Sequence, residues 1–69
     1  MQTEQSIMYK GYRIVITKHI GLFGWIVYRG DDACEEADGY RSAKVATSQA
    51  KFYVNEQVAD DNRGVNLNL

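Results

Sequence analysis

The chain has 69 residues, of which 45% are hydrophobic and 25% are charged, and its formal net charge is −1. This length predicts a single domain, 1–69, too small for a deep enclosed active site. The single cysteine, Cys34, excludes an internal disulfide, and the single histidine, His19, excludes a Cys/His zinc site within one chain. We therefore expect no metal and no cofactor.

The first part of the chain predicts a hairpin. Residues 1–6 are polar and are expected to form a flexible tail before an ordered core at about 8–59. Residues 8–18 are rich in β-branched and aromatic side chains and predict one strand. Gly21 and Gly24 predict a turn, and residues 25–29 predict the next strand.

A short third strand is expected within 33–37, between turn signals at Gly30 and Gly39. Ser42 then fits an N-cap for a helix that runs to about Ala59. Its apolar residues recur at helical spacing and form one stripe: Ala43, Ala46, Ala50, Tyr53, Val54 and Val58. Residues 60–69 are expected to be a second flexible tail, in which 65–69 alternates and could add a strand.

These elements predict an α+β fold, in which an antiparallel two- or three-stranded β-meander packs against one C-terminal amphipathic helix. If Thr17 pairs with Trp25, residues of equal parity share a face of the sheet. One face would then be covered by the helix, and the other would carry an aromatic, β-branched and basic set too apolar for ordinary solvent surface. We expect that set to bind a partner: Tyr9, Arg13, Val15, Trp25, Val27 and Arg29. A slip of one residue in the pairing would mix the two sets.

The helix has a second apolar patch away from its stripe, at Val45 and Phe52, which is a candidate second interface. A small chain without disulfide or metal often gains stability by association, and closed dimers are the commonest assemblies. We therefore expect a homodimer.

The order of features resembles a known type of small domain. An aromatic hairpin and an acidic turn precede Asp38-Gly39-Tyr40-Arg41-Ser42 and an alanine-spaced helix. This order looks like the ββ(β)α units of poorly defined function found in YegP-like proteins, which carry the unit twice. The resemblance covers residues 8–58 and implies no catalytic residues. Similar short proteins are common on phages and other mobile elements.

The sequence favours a non-catalytic protein-interaction module that self-associates, binds an unidentified protein partner, or both. One alternative is nucleic-acid binding through the basic aromatic hairpin, with Arg13, Lys18, Trp25 and Arg29, although the net charge argues against it. Another is a mobile-element inhibitor of a host enzyme that uses the acidic segment 31–38. Cys34 and His19 lack the surroundings of a catalytic pair. No segment resembles a signal peptide or a membrane span, so a cytoplasmic location without membrane contact is expected.

Overall fold

The computed structural model describes the backbone of residues 2–67 and the side chains of residues 2–61. Four strands in chain order, β1 (Gln2–Tyr9), β2 (Tyr12–His19), β3 (Leu22–Arg29) and β4 (Asp32–Tyr40), precede one helix, α1 (Ala43–Leu67). The strands form one antiparallel sheet in the order β1-β2-β3-β4, and α1 packs mainly on β2 and β3. The expected α+β meander with one C-terminal helix is confirmed, with four strands instead of two or three.

Two-residue turns at regular intervals set the length of the strands. Lys10 and Gly11 have φ of 51° and 85°, and Ile20 and Gly21 have φ of 51° and 74°. Positive φ at both central residues is the type I′ conformation, whose twist matches that of a hairpin. The expected single strand at 8–18 is therefore two strands joined at Lys10-Gly11. Residues 2–6, expected to be a loose tail, lie within β1.

The register between β2 and β3 differs from the expected one by one residue. Trp25 pairs with Ile16, and Val27 pairs with Ile14. The two-residue turn at Ile20-Gly21 imposes this pairing, because the loop is far shorter than the glycines at 21 and 24 suggested. Since side chains alternate between the faces of a sheet, the shift moves every residue of β3 to the opposite face.

One face of the sheet, here called the helix face, builds the core against α1. Ile14, Ile16 and Val27 are fully buried there, and Trp25 is 5% exposed. The ring of Trp25 lies 5.7 Å from that of Tyr53, centroid to centroid. The core cluster is completed by Tyr12, Ala46, Ala50 and Val54.

The helix begins as expected. The Ser42 Oγ accepts a hydrogen bond of 3.1 Å from the backbone N–H of Val45, which is the N-cap geometry. The expected apolar stripe is buried or packed against the core. The helix does not end near Ala59 but continues to Leu67, so residues 65–67 do not form an extra strand, while residues 68–69 lie outside the described part. A glycine at position 64 weakens a helix without stopping it.

The domain is flat and elongated, with principal extents of 48 × 21 × 14 Å. It exposes 4895 Å², against about 4,400 Å² expected for a globular monomer of 7.8 kDa. One helix on a four-stranded sheet covers one face only.

Candidate interaction surfaces

The second face of the sheet, here called the outer face, has no helix over it among residues 2–67. Its residues alternate with those of the helix face along each strand. They are Thr3, Ser6, Met8, Arg13, Val15, Thr17, His19, Leu22, Gly24, Ile26, Tyr28, Ala33, Glu36 and Asp38.

The centre of the outer face is apolar and its charges lie apart. Val15 pairs with Ile26 on the two central strands, and Val15 is 8% exposed. Towards the Lys10-Gly11 turn, the guanidinium of Arg13 lies 4.5 Å from the ring centroid of Tyr28. Glu36, paired with Ile26 from β4, adds a carboxylate to the same face, at the margin across β3 from Arg13. An apolar centre with charged margins is the usual anatomy of a protein interface.

Because Gly24 has no side chain, the backbone of β4 can come close to it on the outer face. A Cβ at this position would lie 2.6 Å from the carbonyl oxygen of Ala37 and 2.9 Å from the Cβ of Asp38. The register of β4 shifts at this point, between the pairs Phe23–Tyr40 and Trp25–Ala37. Next to it the face is concave, with a depression of about 440 Å³ lined by Thr17, Ile26, Glu36 and Asp38 among others.

The register corrects the expected contact set. Arg13 and Val15 do lie on the outer face, but Trp25 and Val27 are buried in the core beneath α1. Tyr9 and Arg29 also lie on the helix face. The Tyr9 hydroxyl donates a hydrogen bond of 3.1 Å to Asn55 Oδ1, and Arg29 Nη1 lies 3.7 Å from Asp61 Oδ2.

Three outer-face residues replace those four and were missed from the sequence: Met8, Ile26 and Tyr28. Met8 is 69% exposed, and the other two are half-buried. The signal that could have found them is Gly11. A turn there sets the β1–β2 register and places Met8, and the equal spacing to the glycine at 21 indicates a second two-residue turn, which sets the β2–β3 register and places Ile26 and Tyr28.

The basic residues proposed for nucleic-acid binding do not lie on one surface. Arg13 lies on the outer face, whereas Lys18 and Arg29 lie on the helix face, with Lys18 Nζ 5.3 Å from the ring centroid of Phe23. Trp25, which would have to stack on a base, is buried. The geometry therefore does not support the basic aromatic platform on which that alternative depends.

Cys34 and His19 lie far apart along the sheet. His19 pairs with Leu22 beside one turn, and Cys34 lies at the register shift opposite Val27 and Tyr28 near the other end of β3. Between these positions β3 spans about 18 Å. The two side chains therefore cannot act as a nucleophile and its base. Within residues 2–61, no cluster of His, Cys, Asp and Glu side chains could hold a metal ion.

A second concave surface, here called the β4 groove, lies between β4 and α1. It has a volume of about 350 Å³ and is lined by Trp25, Glu35, Glu36, Ala37, Gln49, Phe52, Tyr53 and Glu56. Phe52 is 61% exposed and Val45 is 46% exposed, so both residues of the expected helical patch face outward, with Phe52 in the groove wall. Burial, followed by the nearby thiol of Cys34 and carboxylate of Glu35, raises the pKa of Tyr53 above its usual 10.0.

The other side of the helix is filled. Asn55 Oδ1 accepts hydrogen bonds from the Tyr9 hydroxyl and from Lys10 Nζ, at 3.1 and 2.7 Å. Lys10 Nζ and Lys51 Nζ lie 5.4 and 5.3 Å from the centroid of the Tyr9 ring. The β1 side of α1 is thus basic and closed, while the β4 side is acidic and open.

No protein-family model, curated protein or solved structure matches this chain. The resemblance to YegP-like units therefore stays a prediction. No helix within the described residues is both long and apolar enough to cross a membrane.

Proposed function

We propose that the protein is a small non-catalytic interaction module that pairs with a second copy of itself through the outer face. The supporting observation is the uncovered layer: β2 and β3 carry a helix on one face, and the other face has Val15 and Ile26 at its centre. An apolar centre without a covering layer is a typical protein contact surface.

The area of the outer face limits how tight such a pairing is. Four strands about 4.8 Å apart and about 27 Å long present roughly 500 Å² per protomer. Standard stable interfaces bury about 800 Å² per partner. We therefore expect a weak dimer that responds to protein concentration, and not an obligate one.

The charges of the outer face favour a copy of the same chain as the partner. A two-fold axis parallel to the sheet, crossing β3 between Ile26 and Tyr28 at right angles to the line from Arg13 to Glu36, exchanges the positions of these two residues, which lie on the strands at either side. Such an axis places Arg13 of each protomer opposite Glu36 of the other and forms two ion pairs. It also centres the contact on the apolar part of the face, as a self-complementary interface requires.

The test is the molar mass in solution over a range of concentrations, measured by light scattering after gel filtration. The wild type should rise from 7.8 kDa towards twice that mass as concentration increases. Ile26→Asp should remain a monomer, because it places a carboxylate at the centre of the contact. Val45→Asp, the same kind of change at an exposed helical residue, should leave the wild-type behaviour intact.

Charge exchange tests the proposed pairing more finely. Arg13→Glu and Glu36→Arg should each weaken the dimer by like-charge repulsion, and the double variant should recover it. A wild type that stays at the monomer mass at every concentration would overturn self-association. Dissociation by Val45→Asp with no effect of Ile26→Asp would place the contact on the helix instead.

A further inference from the structure

The free edge of β4 presents a backbone donor to the outside. β4 is the last strand of the sheet that residues 2–67 form, so one side of its backbone has no neighbouring strand in that part of the chain. The backbone N–H of Glu36 donates a hydrogen bond of 3.2 Å to Oε1 of Glu35, the side chain next to it. This bond shows that the N–H points away from β3. An added strand would offer a carbonyl in place of that carboxylate.

A concave surface lies on each face of the sheet beside this edge. The β4 groove on the helix side and the depression on the outer face share Glu36 and Ala37 among their lining residues. An extended segment beside β4 would direct alternate side chains into these two spaces. The groove volume, about 350 Å³, lies near the low end of ligand pockets, so it suits one or two side chains.

The two spaces differ in chemistry. The groove offers Phe52, Tyr53 and Ala37 as an apolar floor and wall, with Glu35 and Glu56 at its margins. On the outer side, Glu36 and Asp38 line the depression. None of the described residues that line either space is basic. A segment with apolar side chains on one side and lysine or arginine on the other matches both.

We infer that the β4 groove and the free edge of β4 bind a basic, extended peptide segment of a partner protein by strand addition. Apolar side chains of the segment enter the groove against Phe52, and its basic side chains lie beside the carboxylates of β4. This site adjoins the contact proposed for the centre of the outer face and shares Ile26 and Glu36 with it. It needs no second copy of the chain.

The probe is a capped, fluorescein-labelled peptide of alternating lysine and leucine, measured by fluorescence anisotropy at low salt. Phe52→Ala should weaken its binding about tenfold, because it removes the exposed apolar anchor. Val45→Ala is the matched control, since it truncates an exposed apolar residue of the same helix outside the groove, and it should bind as the wild type does. Glu56→Lys should also weaken binding about tenfold by charge reversal.

A peptide in which glutamate replaces every lysine should not bind, and added salt should weaken the lysine peptide. Arg13→Glu, which is expected to weaken self-association and whose residue lines neither space, should keep the peptide affinity, so the two proposals can fail separately. Equal affinity of Phe52→Ala and Val45→Ala, or equal binding of the glutamate peptide, would overturn the inference. If Phe52→Ala instead abolished the dimer, the groove would hold a second copy of the chain and the peptide site would be wrong.

Discussion

The two faces of the sheet are made by the same strands but are buried to different extents. On the helix face, Ile14, Ile16 and Val27 have no exposed surface, because α1 lies over them. On the outer face, Met8 is 69% exposed and Ile26 is half-buried, although both are as apolar as the core residues. Hydrophobicity alone therefore does not assign a residue of this sheet to the core. The position of the two-residue turn decides which face of the sheet the residue occupies.

The largest expected difference between the faces is the loss of folding stability when an aromatic side chain is truncated. Trp25→Ala empties the core beneath α1 and should cost about 3–5 kcal/mol, out of a total of about 3–10 kcal/mol for a domain of this length. Most of the variant should be unfolded. Tyr28→Ala removes a half-buried outer-face ring and should cost about 1 kcal/mol. Urea denaturation at low protein concentration compares them, and equal costs would contradict the assignment of the faces.

A smaller loss of stability is expected when a side chain is added at Gly24, where β4 comes close to the backbone of β3. Gly24→Ala would place a Cβ 2.6 Å from a backbone oxygen of β4, so β4 must shift, at a cost of about 1–3 kcal/mol. Gly21→Ala is the comparison, since nothing lies within 4 Å of its Cβ and only the positive φ opposes it. Amide chemical shifts of β4 should move in Gly24→Ala and stay in Gly21→Ala. Unchanged β4 shifts in the first variant would show that the close approach does not exist.

Removing one polar side chain on the β1 side of α1 should lower the free energy of unfolding. Asn55→Ala removes the acceptor for Tyr9 and Lys10 and should cost about 0.5–1 kcal/mol, because these bonds are exposed. Gln49→Ala, in the open β4 groove, should change the free energy of unfolding by less than about 0.5 kcal/mol. Thermal unfolding measures both. If Gln49→Ala were the more costly of the two, the distinction between a closed and an open side of α1 would be lost.

The smallest effect concerns pH. The raised pKa of Tyr53 in the folded state means that the unfolded chain loses this proton first as pH rises. The contribution to stability is therefore fully present below pH 10.0 and is lost progressively above it. The difference between the alkaline absorbance titrations of the wild type and Tyr53→Phe should lie above pH 10.0. A difference curve centred below that value would contradict the local environment described for Tyr53.

The sequence was sufficient for the elements whose signals are local. Ser42 caps the helix because its side chain meets the N–H three residues on, and the alanine-spaced stripe faces the core because helical spacing fixes its direction. The register of the hairpin was not available in the same way. Gly21 and Gly24 look alike in the sequence, but Gly21 has positive φ, whereas Gly24 allows a close approach of β4. Only the tertiary contact distinguishes them.

The same ambiguity explains the errors in the candidate site. Placing the turn correctly at Ile20-Gly21 exchanges Trp25 and Val27 for Ile26 and Tyr28 on the outer face. Reading Lys10-Gly11 as a second turn moves Tyr9 to the helix face and Met8 to the outer face. Arg13 and Val15 kept their expected face because their alternation with Tyr12 and Ile14 does not depend on either turn.

Short-range cross-linking of the outer face tests the central proposal most directly. In a Cys34→Ser background, Ala33→Cys places a single thiol on the exposed outer face near the proposed two-fold axis, and Ser48→Cys places one on the exposed side of α1. With a short bis-maleimide linker, the thiol at position 33 should give a covalent dimer and the thiol at position 48 should not. Efficient cross-linking at position 48 with none at position 33 would show that the outer faces do not meet.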